Sequence, residues 1–132
     1  MSQTCLCIAI RKASRRMTTL YDVELAPVGI NLAQFSLLKT IRRLAPVSLS
    51  DLGRTTELDR STIGRNVKVL ERMGLAQAVA GSDHREAAVE LTPTGQGALH
   101  MALPLWEQAQ RDIEARLGSA KTAQLEQLLA AL

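Results

Sequence analysis

The chain is poor in aromatic residues: among its 132 residues only Tyr21, Phe35 and Trp106 carry an aromatic side chain. That scarcity excludes the stacking platforms on which single-stranded nucleic acids lie, and it leaves an aliphatic core. Cysteine is nearly absent too. Cys5 and Cys7, one residue apart, are too few for a disulfide scaffold or a tetrahedral zinc site and too close for an ordinary bridge within a helix. They read either as apolar filler or as a thiol sensor. No apolar run approaches the roughly 18 residues of a membrane span, and the N-terminal segment lacks the apolar centre of an export signal, so a cytoplasmic protein is the expectation.

Charge of one sign is not in great excess. Sixteen Lys and Arg against thirteen Asp and Glu give a net charge of +3. No glycine-rich phosphate loop occurs, and no nucleophile, base and orienting residue form a recognisable set, so neither an enzyme nor a cofactor is expected. His84 and His100 lack partners at metal-ligand spacing. The length suits one domain, or a protomer that completes its core with a second copy.

What the chain does have is a series of well-marked helices. Leu6, Ala9, Ile10, Ala13, Met17, Leu20 and Tyr21 fall at the spacing of three and four that makes one apolar stripe, which predicts a first helix ended by "APVG" at 26 to 29. Asn31 with Gln34 has the form of a capping box, predicting a second helix to about Leu44, where Pro46 stops it. Ser48 with Asp51 repeats the start signal for a short helix from Leu49 to about Thr56, and Asp59 caps a fourth that closes at Gly74. Two short, separately capped helices in succession are the outline of a helix-turn-helix.

"AQAVA" and "AAVELT" then read as the strands of a hairpin around the polar "GSDHRE". Thr92 and Pro93 start another helix in the favoured order of cap then proline, running to Gly118, with Pro104 inside it expected to bend it. Ser119 is expected to cap a last helix whose stripe is Leu125, Leu128, Leu129 and Leu132. Trp106 is expected in a dimerisation core. The fold class is therefore mainly α with a small β-hairpin wing.

The fourth helix, in "LDRSTIGRNVKVLERMGL", carries the functional signal. At about 100° per residue Ile63, Val67 and Leu70 share one face, and Ser61, Arg65, Lys68 and Arg72 cluster at the opposite pole with Thr62 at its margin. Small hydroxyls beside long cations near a helix N-terminus form a surface that a DNA major groove admits. Net charge does not supply this: from Pro46 to Thr92 there are six Lys or Arg and seven acids. Phosphate attraction has to come from the arrangement of cations on one face and from doubling in a dimer.

"SLSDLGRTTELDRSTIGRNVKVLERMGL" followed by "GSDHREAAVELTPTG" resembles the winged helix-turn-helix of the MarR family of bacterial transcription regulators. Asp83, Arg85, Leu91, Thr92 and Gly95 match that family's wing and helix-start motif. The resemblance covers nearly the whole chain. It implies one protomer with dimerisation helices at about 1–30 and 93–132 and a winged DNA-binding region at about 31–92. It further implies a homodimer whose terminal helices intertwine, straddling a pseudo-palindromic operator on double-stranded DNA. The expected DNA-contacting residues are Ser48, Arg60, Ser61, Thr62, Arg65, Asn66, Lys68, Arg72, Asp83, His84 and Arg85. Thr62 and Arg65 are assigned to base edges, Arg60, Ser61 and Lys68 to bases or phosphates, Arg85 to the minor groove, and Asp83 to holding nearby cations.

Family members commonly act as repressors that release DNA on binding a small aromatic acid. "LCIAIRKASRRMTTLY" is also similar to the first helix of the family's organic-hydroperoxide-sensing branch, which implies Cys7 as an oxidisable thiol and Tyr21 as its hydrogen-bond partner. Arg11 stands where that branch has a further tyrosine, and a cation there favours thiolate. A hydroperoxide-responsive regulator using Cys7, or more remotely a thiol peroxidase, are the alternative readings.

Overall fold

The computed structural model describes residues 1–81 and 87–132. Its first helix, α1 (Leu6–Leu25), runs past the expected stripe and ends in a single 3-10 turn, Ala26–Val28, closed by Gly29 at φ 79°. The chain turns back there because glycine adopts a left-handed conformation without a side-chain penalty. Helix α2 (Leu32–Leu44) opens with the predicted capping box. Asn31 Oδ1 accepts the Gln34 N–H, and Gln34 Oε1 accepts the Asn31 N–H, each at 2.9 Å. One tie was not legible in advance: the Leu32 N–H donates to Asp22 Oδ1 at 2.7 Å, fixing the start of α2 against the end of α1.

Helix α3 (Leu49–Thr56) is capped by Ser48, whose hydroxyl accepts the Asp51 N–H at 3.1 Å. Helix α4 (Arg60–Arg72) is capped by Asp59. Its far end is a full Schellman closure, in which Leu75 N–H bonds Leu70 O at 2.9 Å, Gly74 N–H bonds Glu71 O at 3.0 Å, and Gly74 takes φ 76°.

The expected hairpin is present, and the sheet extends beyond it. Besides β2 (Ala76–Ala80) and β3 (Ala87–Leu91), a two-residue strand β1 (Val47–Ser48) pairs antiparallel with β3, placing Val47 opposite Val89. The sheet is three-stranded in the order β1-β3-β2, with the hairpin register setting Ala76 opposite Leu91. Two residues carry no periodicity, so no sequence pattern announces this strand.

Helix α5 (Pro93–Leu117) passes through Pro104, which is exposed and faces solvent. The last helix, α6 (Ser119–Ala130), corrects the expected cap. Gly118, at φ 81° and ψ 157°, occupies the cap position, Ser119 is the first helical residue, and no side chain caps the helix.

The core lies beneath the helix-turn-helix. Leu25, Leu38, Ile41, Leu52, Ile63 and Leu70 are fully buried, joined by Phe35, Val67 and Val89. Burying such a side chain contributes about 1.5–3 kcal/mol, so this aliphatic cluster is what holds α4 against α2 and α3. A smaller cluster of Tyr21, Ala109 and Ile113 joins α1 to α5. Trp106 bridges the two. Its ring stacks on Phe35 at 5.8 Å and on Tyr21 at 6.4 Å, with Lys39 Nζ 5.0 Å from its centroid. The tryptophan expected in a dimerisation core is thus seated among residues of its own chain, and the three aromatics of the sequence form one stack.

No helix among the described residues is long and apolar enough to cross a membrane.

Candidate nucleic-acid interface

Helix α4 is oriented by its apolar stripe. Ile63, Val67 and Leu70 are buried, so Ser61, Arg65, Lys68 and Arg72 are turned to solvent. Among the described residues, none of these three cations is in an ion pair; the pair that does form, Asp51 with Arg54, lies on α3. A cation outside an ion pair can exchange water and counterions for phosphate without first breaking a salt bridge. Arg65, Lys68, Val69, Glu71 and Arg72 line an open hollow of about 580 Å³ along this face.

The leading end of the helix is organised by one carboxylate. Asp59 Oδ1 accepts the Thr62 N–H at 2.7 Å and the Ser61 hydroxyl at 2.8 Å. The Thr62 N–H, then the Ser61 and Thr62 hydroxyls, hold the Asp59 carboxyl below its ordinary range. Arg65 Nη2 donates to Thr62 Oγ1 at 3.4 Å, and Arg60 Nη1 donates to Ser50 Oγ at 3.2 Å, tying α4 to α3. Sequence reading found Asp59 as a cap and missed its grip on Ser61. An acid two residues before a serine is too common a pattern to signal it.

The other expected contacts are placed less uniformly. Thr62 is half-buried at the margin of the exposed face, as its angle predicts. Asn66 is half-buried and turned toward α2, in a groove shared with Asn31, Gln34 and Leu37. The Ser48 hydroxyl is occupied as the α3 cap, and its backbone belongs to β1. Asp83, His84 and Arg85 lie outside the described residues.

The wing and α4 are joined at one backbone junction. Thr92 Oγ1 donates to Gly74 O at 2.6 Å and accepts the Gly95 N–H at 3.0 Å, while the Thr92 N–H bonds Leu75 O at 3.1 Å. The end of α4, the end of β3 and the start of α5 are therefore tied together through Thr92.

Cys5 is the residue before α1 and Cys7 lies in its first turn, both exposed, so the single chain does not bury them as filler. Tyr21 is buried, and its hydroxyl donates to Gln110 Oε1. Fourteen residues of one continuous helix separate Cys7 from Tyr21, about 21 Å at 1.5 Å per residue. The two do not meet within one chain.

A capped helix pair over a shared core, with an antiparallel sheet following the second helix, defines a winged helix-turn-helix protein. Comparison with known proteins agrees with that class. The family model described as MarR family matches residues 28–86. The transcriptional regulator MosR of M. tuberculosis, solved in complex with DNA, is 34% identical over 97% of this chain and 98% of its own, with a TM-score of 0.78. A probable transcriptional regulator from Pseudomonas aeruginosa is 28% identical over 96% of each chain, with a TM-score of 0.86. The transcriptional repressor NicR of Pseudomonas putida is 30% identical over 72% of this chain. The chain spans 61% of the length of the curated relatives it matches. It belongs to the MarR family of winged-helix transcriptional regulators.

Proposed function

We propose that this protein is a cytoplasmic homodimer that binds double-stranded DNA sequence-specifically and represses transcription from a pseudo-palindromic operator, which it leaves when a small effector binds. The observation that carries this reading is the outward face of α4, where Ser61, Arg65, Lys68 and Arg72 stand exposed on a helix whose opposite face is locked into the core. MosR, solved in complex with DNA, supports the partner. The winged region of about 31–92 meets DNA, with Thr62 and Arg65 at base edges, Arg60, Ser61 and Lys68 on bases or phosphates, Arg85 and His84 of the wing at the minor groove, and Asp83 holding nearby cations.

The dimer is supported by uncovered apolar surface on the terminal helices. Leu6 is 69% exposed, Val23 67%, Leu128 68% and Leu129 49%, and one chain leaves them in water although a second copy would cover them. Helix α6 ends at Ala130, so Leu132 of the expected stripe lies beyond it, and of Leu125, Leu128 and Leu129 only Leu125 is half-buried. A small aromatic acid is the effector class the family resemblance implies. The exposed Cys7 supports a hydroperoxide as the second reading.

Titrating duplex DNA from the protein's own upstream region at several salt concentrations tests the function, with an aromatic acid or a hydroperoxide added to test release. The affinity falls steeply with salt. Lys68→Ala lowers the log-log slope by about 1.8, since a dimer loses two phosphate contacts at about 0.9 each. Arg65→Ala weakens binding and relaxes preference at one base position. Absence of any salt-dependent duplex affinity would refute the reading.

A further inference from the structure

The hydroxyls at the start of α4 have hydrogen-bonding directions imposed by their neighbours. The Ser61 hydroxyl donates to Asp59 Oδ1 at 2.8 Å, and the Thr62 oxygen receives Arg65 Nη2 at 3.4 Å. An ionised carboxylate offers lone pairs only, so a hydroxyl bound to it gives up its one hydrogen and turns its own lone pairs outward. A serine without such a neighbour rotates to donate or accept and tolerates any base edge. The Asp59 carboxyl is held below its ordinary range by the Thr62 N–H, then by the two hydroxyls, and so is ionised at neutral pH.

We propose that Asp59 sets part of the operator preference without touching DNA, by fixing Ser61 as a hydrogen-bond acceptor that selects a base with a major-groove amino group, cytosine or adenine. The proposal rests on the DNA-binding reading above. Guanine and thymine present oxygen or nitrogen acceptors at that edge, and an acceptor facing an acceptor leaves both unpaired. Arg65 carries donors alone and takes the opposite preference, for guanine O6 and N7. One short segment thereby reads two edges of opposite polarity. Asp59 is a positioning residue, and Ser61 and Arg65 are the readers.

The test is selection of bound duplexes from a library randomised through the half-site, followed by affinities for single-position variants, using the full chain. The position read by Ser61 is the one whose preference Ser61→Ala abolishes. Wild type favours cytosine or adenine there by about five- to tenfold, the scale of one hydrogen bond. Asp59→Gly keeps a residue type accepted at helix N-caps, yet levels the preference at that position while leaving the guanine preference of Arg65. Asp59→Asn restores the discrimination, because one amide oxygen can still accept both the Thr62 N–H and the Ser61 hydroxyl.

Preference for guanine or thymine at the Ser61 position overturns the proposal, as does an unaltered preference in Asp59→Gly or a uniform loss of affinity with every preference intact. A Ser61→Ala protein with wild-type selectivity at every position also overturns it. If wild type shows no sequence preference on any duplex, the DNA-binding reading fails first and the proposal with it.

Discussion

Replacing Gly95 with alanine should unseat α5 from the end of α4. A Cβ built at Gly95 would lie 2.8 Å from the Leu75 carbonyl carbon and closer still to its oxygen, separations that real side chains do not adopt. The obstacle is backbone and cannot rotate away. That same carbonyl accepts the Thr92 N–H at 3.1 Å, and the Leu75 N–H is tied to Leu70 at 2.9 Å, so relief requires the junction to open. Overpacking of this kind costs about 1–3 kcal/mol, and loss of two junction hydrogen bonds adds about 1 kcal/mol each. Alanine returns about 1 kcal/mol of helix propensity. The net destabilisation is about 2–4 kcal/mol, a fall in Tm of about 6–20 °C for a chain of this size. Gly97 is the internal control. It lies two residues on in the same helix with nothing within 4 Å of its Cβ position, so Gly97→Ala should gain about 1 kcal/mol. Thermal unfolding followed by circular dichroism, at one protein concentration so that association does not shift the midpoint, gives both numbers. A Gly95→Ala protein as stable as Gly97→Ala would refute the close approach.

Two further expectations concern the helix caps. Thr92→Val keeps the shape of the side chain but removes the acceptor for Gly95 N–H and the donor to Gly74 O, and should cost about 1–2 kcal/mol in urea unfolding with an unchanged m-value. An unchanged midpoint contradicts that role. The depressed Asp59 carboxyl contributes stability that is fully present above the unfolded-state value of about 3.9 and is lost as pH falls through the lower folded value. Asp59→Ala should therefore melt below wild type at pH 7, and the gap should close as pH drops past that window. A carboxyl titration midpoint for Asp59 at or above the ordinary aspartate range, measured by carbon NMR, would remove the basis for this.

The course of the helices was legible because its causes are local. Asn31, Ser48, Asp59 and Thr92 each bond an N–H three residues ahead, and such a cap is complete within one turn of chain. The facing of α4 followed for the same reason: the helical period alone turns Ser61, Arg65, Lys68 and Arg72 away from Ile63, Val67 and Leu70. Ser119 failed as a cap because Gly118, in an extended left-handed conformation, already makes the corner, a choice imposed by how α5 ends.

The sequence by itself determined which segments coil, where they start and which side of α4 meets solvent, since spacing and capping act over three or four residues. Only the tertiary structure decided that Val47 and Ser48 form a third strand, that Asp22 receives Leu32, that Trp106 lies between Phe35 and Tyr21, and that Gly95 must be bare against Leu75. Those contacts join residues ten to eighty-five positions apart. No local rule specifies such pairs, because they are selected by the burial of the whole chain.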